Sequence, residues 1–169
     1  RPRWRAVFAT SPRKPPQPVN RVRTSDEILR GLERYGIRLG LENLRALLVA
    51  LGNPQSQLAI AHVGGTNGKG STSALLAEIA AAAGYRVGLY TSPHLDTVEE
   101  RIRIDGAKIA PEKLARLLEE ILAAAARLGT EPPTYFEAMT VAAFLACARS
   151  SVDLAVFEVG AAGASVVEM

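Results

Sequence analysis

Apolar and polar positions along the chain repeat at helical spacing near both ends and collapse into short continuous runs in between. Thr24-Ser25-Asp26-Glu27 reads as a helix cap, and Ile28, Leu29 and Leu32 then give one apolar face as far as Tyr35. Gly36-Ile37-Arg38-Leu39-Gly40 interrupts it, after which Leu41, Leu44, Leu47, Leu48 and Leu51 predict a second helix stopped by Gly52-Asn53-Pro54. Residues 58–63 form a short apolar run bounded by turn signals, the pattern of a strand buried on both faces. Residues 73–83 are rich in alanine and leucine and end at Gly84, as a helix does, and residues 86–91 read as the next strand, which Pro93 prevents from continuing. Arg101-Ile102-Arg103-Ile104 alternates like a half-exposed strand entering a tight turn at Asp105-Gly106. A helix opens at Pro111 and runs to about Leu128, with acids early, Arg127 late and Gly129 as its stop. Pro132-Pro133 separates it from a helix over about residues 136–149, and residues 153–159 give a third buried strand. Strand, loop, helix and strand in that order make a βαβ unit with parallel strands and a right-handed crossover, so the expected fold is α/β, a mostly parallel sheet with flanking helices.

Composition divides the chain. Its 169 residues are 48% hydrophobic, enough for one core, which the pattern places at residues 24–169. Residues 1–23 carry five prolines and no apolar period, and read as a flexible basic Pro-rich extension. They hold seven Arg or Lys and no acid, which leaves 13 basic against 17 acidic residues in the body. The overall charge of +3 therefore belongs to the tail and argues against a nucleic-acid-binding body. The single cysteine, Cys147, lies in a helical apolar pattern, which excludes a disulfide framework and predicts a buried thiol. No apolar run approaches the roughly 20 residues of a membrane span. A soluble, cytoplasmic, monomeric protein without a membrane partner is the expectation, with the domain truncated at its C-terminal end.

The chemistry concentrates where the first apolar run breaks, at Gly64-Gly65-Thr66-Asn67-Gly68-Lys69-Gly70-Ser71. Glycines bring backbone N–H groups up to an anion, the lysine adds a point charge, and the helix that follows adds its dipole, which is how a phosphate loop reads. The strict G-x-x-x-x-G-K-[ST] spacing is not met, because the first glycine would fall on Val63 and the hydroxyl of Ser71 comes one place late. Ligands bind outside the carboxyl ends of strands in such sheets. Ser92 and Glu158 also stand at strand ends, so a hydroxyl, a carboxylate and a phosphate loop converge, a constellation suited to Mg²⁺ and a nucleotide. A carboxylate in a buried strand is costly unless paired or metal-bound. Ser92 before Pro93 is also ordinary turn chemistry.

The loop Gly65-Thr66-Asn67-Gly68-Lys69-Gly70-Ser71 resembles that of the Mur-ligase superfamily, in its folylpolyglutamate synthase and dihydrofolate synthase branch. Tyr35-Gly36-Ile37-Arg38-Leu39-Gly40-Leu41-Glu42, Tyr90-Thr91-Ser92-Pro93-His94-Leu95, Glu100-Arg101-Ile102-Arg103, Thr134-Tyr135-Phe136-Glu137 and Phe157-Glu158-Val159-Gly160 are similar to that branch in the same order, over about residues 25–160. The resemblance implies a P-loop NTPase-like fold, that of the Mur ligase central domain, and an ATP- and Mg²⁺-dependent amide ligase. Such an enzyme joins L-glutamate to a pteroate or folate carboxylate through an acyl phosphate. By the same resemblance Gly65, Thr66, Asn67, Gly68, Lys69, Gly70 and Ser71 would hold ATP, with Lys69 as the catalytic cation at the β- and γ-oxygens. Ser92 and Glu158 would be Mg²⁺ ligands, and Arg38, Leu39, Gly40, Leu41, Thr134, Tyr135, Phe136 and Glu137 would hold the pterin. Phe136 or Tyr135 could stack on a flat heterocycle or serve as core aromatics. His94 is expected to be a local loop partner and His62 hydrogen-bonded structure.

After Gly160 the chain reads Ala161-Ala162-Gly163-Ala164-Ser165, where the branch continues with a glycine pair and then Arg-Leu-Asp. The acid that helps bind the pterin in the branch is missing from this stretch, and by the same resemblance a third metal ligand, a histidine, a modified lysine and a C-terminal domain that completes the ATP and glutamate sites would lie beyond it. Catalysis by this chain alone is therefore not expected. A non-catalytic nucleotide-binding remnant and a Mur-type ligase of peptidoglycan synthesis are the alternatives.

Overall fold

The computed structural model describes residues 23–36, 38 and 40–159; residues 1–22, Ile37, Leu39 and residues 160–169 lie outside the described residues. The expected basic extension, except Arg23, and the altered segment after Gly160 fall there. Helix α1 (Ser25–Glu33) begins at the capping box its sequence announces, with Thr24 Oγ1 accepting the Glu27 N–H at 3.2 Å and Glu27 returning to the Thr24 N–H at 2.9 Å. Helix α2 (Glu42–Ala50) buries Leu44, Leu47 and Leu48.

Strand β1 (Ile60–Val63) leads into α3 (Lys69–Ala82) and strand β2 (Val87–Tyr90). A 3₁₀ turn, Val98–Arg101, then leads into strands β3 (Ile102–Ile104) and β4 (Ala107–Lys108). Asp105 and Gly106 connect them with φ of 51° and 78°, the two left-handed residues that a tight hairpin of this kind requires. Helices α4 (Pro111–Leu128) and α5 (Tyr135–Arg149) precede strand β5 (Leu154–Glu158).

The five strands form one mixed sheet in the order β1-β5-β2-β3-β4. β1 and β2 both pair in parallel with β5, and β3 and β4 extend the sheet antiparallel beyond β2. The last strand of the described chain thus enters between the two strands of the βαβ unit. This corrects the reading of residues 58–63 as a strand buried on both faces. Among the described residues β1 is an edge strand whose four residues are each only partly buried, whereas β5 takes the central place.

Side-chain alternation along β5 divides the interior. Ala155 and Phe157 join the main core built by α1, α2, α4 and α5, while Val156 joins a smaller cluster with Ala77, Ala80 and Val87 beneath α3. Glu158 has the parity of Val156, so it belongs to the α3 face. Cys147 is fully buried against β2, as expected, and burial pushes its thiol up to about 12. Among the described residues no helix is long and apolar enough to cross a membrane.

Candidate functional site

The glycine loop spans the gap between β1 and α3, and α3 begins at Lys69, four residues before the predicted start. Gly68 is its N-cap at φ 72°, a left-handed conformation in which a side chain would be strained, and no side chain caps the helix. The Thr72 N–H makes the first return bond, to the Gly68 carbonyl at 2.9 Å. The N–H groups of Lys69, Gly70 and Ser71 precede that bond and are the orphan donors of the helix, which favour an anion. The Lys69 ammonium folds back over the loop and donates to the carbonyls of Gly65 at 2.8 Å and Thr66 at 3.4 Å. The cation and the orphan donors therefore share one place.

Glu158 and Ser92 stand across from it on adjacent strands. Glu158 is 7% exposed, and its Oε2 accepts the backbone N–H of Ser92 at 3.1 Å. No Lys or Arg pairs with it among the described residues. A Cβ on Gly70 would stand 3.7 Å from the same oxygen, an ordinary contact, so the start of α3 lies directly beside the carboxylate. Gly70, Ser92 and Glu158 line one end of a cavity of about 440 Å³ that continues between α3 and β2 past Ala74 and Ala77. Among the described residues no group of three His, Cys, Asp or Glu could hold a metal. A hydroxyl and a carboxylate fit a hard cation that takes its other oxygens from phosphate and water, as Mg²⁺ and Mn²⁺ do, and do not fit a thiolate- or imidazole-bound metal.

A second cavity, of about 510 Å³, brings together Arg38, Gly40 and Glu137 with Asn43 and Thr130. Arg38 donates to the Pro132 carbonyl at 3.1 Å, pairs with Glu131 at 3.0 Å and lies 3.6 Å from Glu137. Its Nη1 is buried without a hydrogen-bond partner. Thr134 and Glu137 form the capping box of α5, and Asn43 donates to the remaining Glu137 oxygen at 3.3 Å. Other members of the predicted pterin set fall elsewhere. Leu41 packs on the main core, Leu39 lies outside the described residues, and Tyr135 turns away so that Arg101 sits over its ring at 5.2 Å. Phe136 is 40% exposed and lines a crevice with His62, Tyr90 and Glu158.

His94 is the loop partner expected of it, its Nδ1 accepting from Arg101 at 2.9 Å. His62 packs edge-on against Phe157, and burial lowers its pKa. Sequence reasoning assigned no role to Asn43 or Arg101. Nothing marks Asn43 within its helix, while Arg101 sat in a quoted motif without a contact to explain it.

No protein-family model matches the chain. A probable bifunctional folylpolyglutamate synthase/dihydropteroate synthase of Haloferax volcanii is 42% identical over 135 residues, covering 78% of this chain and 16% of that protein. The dihydrofolate synthase/folylpolyglutamate synthase of Bacillus subtilis is 39% identical over 139 residues, covering 80% and 32%. Among solved structures, the folylpolyglutamate synthetase from Lactobacillus casei superposes with a TM-score of 0.77 at 36% identity, covering 84% of this chain and 37% of that one. Homologues and structural neighbours alike are folylpolyglutamate and dihydrofolate synthases. The chain corresponds to the N-terminal part of these synthases and spans about a third of their length or less. Its α/β fold is theirs. One bifunctional synthase was solved with Mn, AMPPNP and L-glutamate bound, with a TM-score of 0.74–0.75 shared by the Escherichia coli enzyme in complex with DHPP and ADP; each covers 82% of this chain and 33% of its own.

Proposed function

We propose that this chain is the nucleotide-binding part of an ATP-dependent ligase that adds L-glutamate to dihydropteroate or a folate. The observation that carries the reading is the junction of Glu158, Ser92 and Gly70 at the orphan end of α3, the helix whose first residue, Lys69, folds its ammonium over the preceding loop. In the proposed reaction an acceptor carboxylate oxygen takes the γ-phosphoryl group and ADP leaves. The glutamate amine then attacks the acyl carbon, loses its proton, and phosphate departs. Both steps bring anions together, so the catalytic need is charge screening and placement. Lys69 and the N–H groups of Lys69, Gly70 and Ser71 hold the phosphates, while Ser92 and Glu158 hold the divalent cation. When bound, that cation would neutralise charge on the phosphate oxygens. Arg38, Gly40 and Glu137 face the acceptor cavity, and the exposed ring of Phe136, in the crevice that Glu158 also lines, offers a stacking surface. The relatives named above are folate ligases, which weighs against a peptidoglycan ligase. A nucleotide-binding module without ligase activity of its own is the second reading.

Calorimetric titration with Mn·AMPPNP tests the reading. Binding that weakens by at least about tenfold in Lys69→Ala, a loss of about 1.4 kcal/mol, is the expected outcome. Equal affinity of the two proteins refutes the phosphate-loop assignment. Glutamate-dependent ADP release with dihydropteroate separates a ligase from a binding module.

A further inference from the structure

Arg101 lies just ahead of β3, yet each of its contacts is on a segment that carries the site. Its carbonyl accepts the Thr91 N–H at 3.0 Å, fixing the chain one residue before Ser92. Its Nε donates to His94 Nδ1 at 2.9 Å, two residues after Ser92. Its guanidinium lies 5.2 Å from the ring centre of Tyr135, the first residue of α5 and the neighbour of Phe136. Glu100, beside it, accepts the N–H groups of Leu95 at 3.1 Å, Asp96 at 3.4 Å and Thr97 at 3.2 Å, so the rest of the loop is also drawn onto this turn. Arg101 pairs with no carboxylate among the described residues; its guanidinium is directed to the His94 imidazole, the Tyr135 ring and the hydroxyl of the buried Tyr90 on β2 instead. An arginine serving only surface solubility would face solvent or an acid. A planar fork that donates along one edge and stacks with its face can hold two segments in one geometry, which lysine cannot do.

We propose that Arg101 is a positioning residue that locks the Ser92 loop to the amino end of α5, so that the cation side and the acceptor side of the site hold one relative geometry. The inference rests on the proposed function for what the site binds, but the lock itself concerns only this chain's residues. Residues that orient a metal ligand from behind typically change metal affinity by about 10–100-fold when removed.

The test uses the full chain and two measurements. In titrations with Mn·AMPPNP, Arg101→Ala and His94→Ala each weaken binding by about tenfold or more, and the double variant is no weaker than either single one. His94→Gln, which keeps an acceptor for the Arg101 Nε–H, retains most of the affinity, and Arg101→Lys behaves like Arg101→Ala. Additive losses, or His94→Gln and His94→Ala binding alike, overturn the proposal. Amide hydrogen exchange then reads the lock without nucleotide. Arg101→Ala speeds exchange in residues 94–97 and in the first turn of α5 together, while α4 keeps its protection. Unchanged exchange at both segments, or loosening of the loop alone, overturns the proposal. A wild-type chain that binds no Mn·AMPPNP would refute the proposed function, and the exchange measurement would still decide the lock.

Discussion

Replacing Glu158 by glutamine separates a functional carboxylate from a structural one, because the two roles predict opposite signs for stability. Glu158 ends the central strand at 7% exposure, with one hydrogen bond, from Ser92 N–H at 3.1 Å, and no cationic partner among the described residues. A hydrogen bond to a charged group is worth about 1.5–3 kcal/mol and a neutral one about 0.5–1.5, so Glu158→Gln gives up about 1 kcal/mol there. Against this, the effective cost of burying an unpaired ion is several kcal/mol, most of which the amide avoids. Relief exceeds loss by about 1–2 kcal/mol, and at about 2–4 °C per kcal/mol for a domain of this size the melting temperature rises by about 2–8 °C. Affinity for Mn·AMPPNP falls in the same variant, since a neutral amide is a poor ligand for a hard cation. Scanning calorimetry of both proteins without nucleotide, followed by calorimetric titration, measures the two quantities. A fall in melting temperature with unchanged affinity would make Glu158 an ordinary buried acid of the fold and remove the cation site from the reading.

Three further outcomes follow from the packing and the electrostatics. A Cβ at Gly88 would collide with Cys147 Sγ and approach Val152 at 3.6 Å, so Gly88→Ala destabilises by about 1–3 kcal/mol in urea titration, and Cys147→Ala in the same chain recovers part of the loss. With its thiol pushed up to about 12 by burial, Cys147 reacts with a thiol reagent at neutral pH only as fast as the chain unfolds; rapid labelling of the native protein would contradict the packing of α5 on β2. The N–H groups of Leu95 and then Thr97 hold the Glu100 carboxylate below its ordinary range. A depressed folded pKa gives stability that is present above the ordinary carboxylate value and lost as pH falls through the folded one. Protection of the Leu95 and Thr97 amides, compared with Glu100→Gln at each pH, should therefore shrink as the solution is acidified, and a pH-independent difference would be the contrary result.

Much of this was local and so legible in order along the chain. The cap at Thr24, the glycine stops and the Asp105-Gly106 turn depend on residues within a few places of one another, and they formed where the pattern put them. The boundary of α3 was misplaced because Gly68-Lys69-Gly70 reads as loop by composition, whereas a left-handed Gly68 at the N-cap lets the helix start at Lys69. Tyr135 and Phe136 are adjacent and both aromatic, and nothing local says which ring faces the crevice. Arg101, distant by 34 places, draws Tyr135 aside and leaves Phe136 exposed.

What the sequence determined by itself is the order of the main helices and strands, the cap of α1 and the glycine turns, because propensity, periodicity and turn chemistry act over short stretches. The tertiary structure alone decided the insertion of β5 between β1 and β2, which exposes one edge of β1 and sets Glu158 beside Ser92 across 66 positions of sequence. Strand order and side-chain partners between remote segments are settled by which apolar faces can be buried together, and that is a property of the whole packed chain.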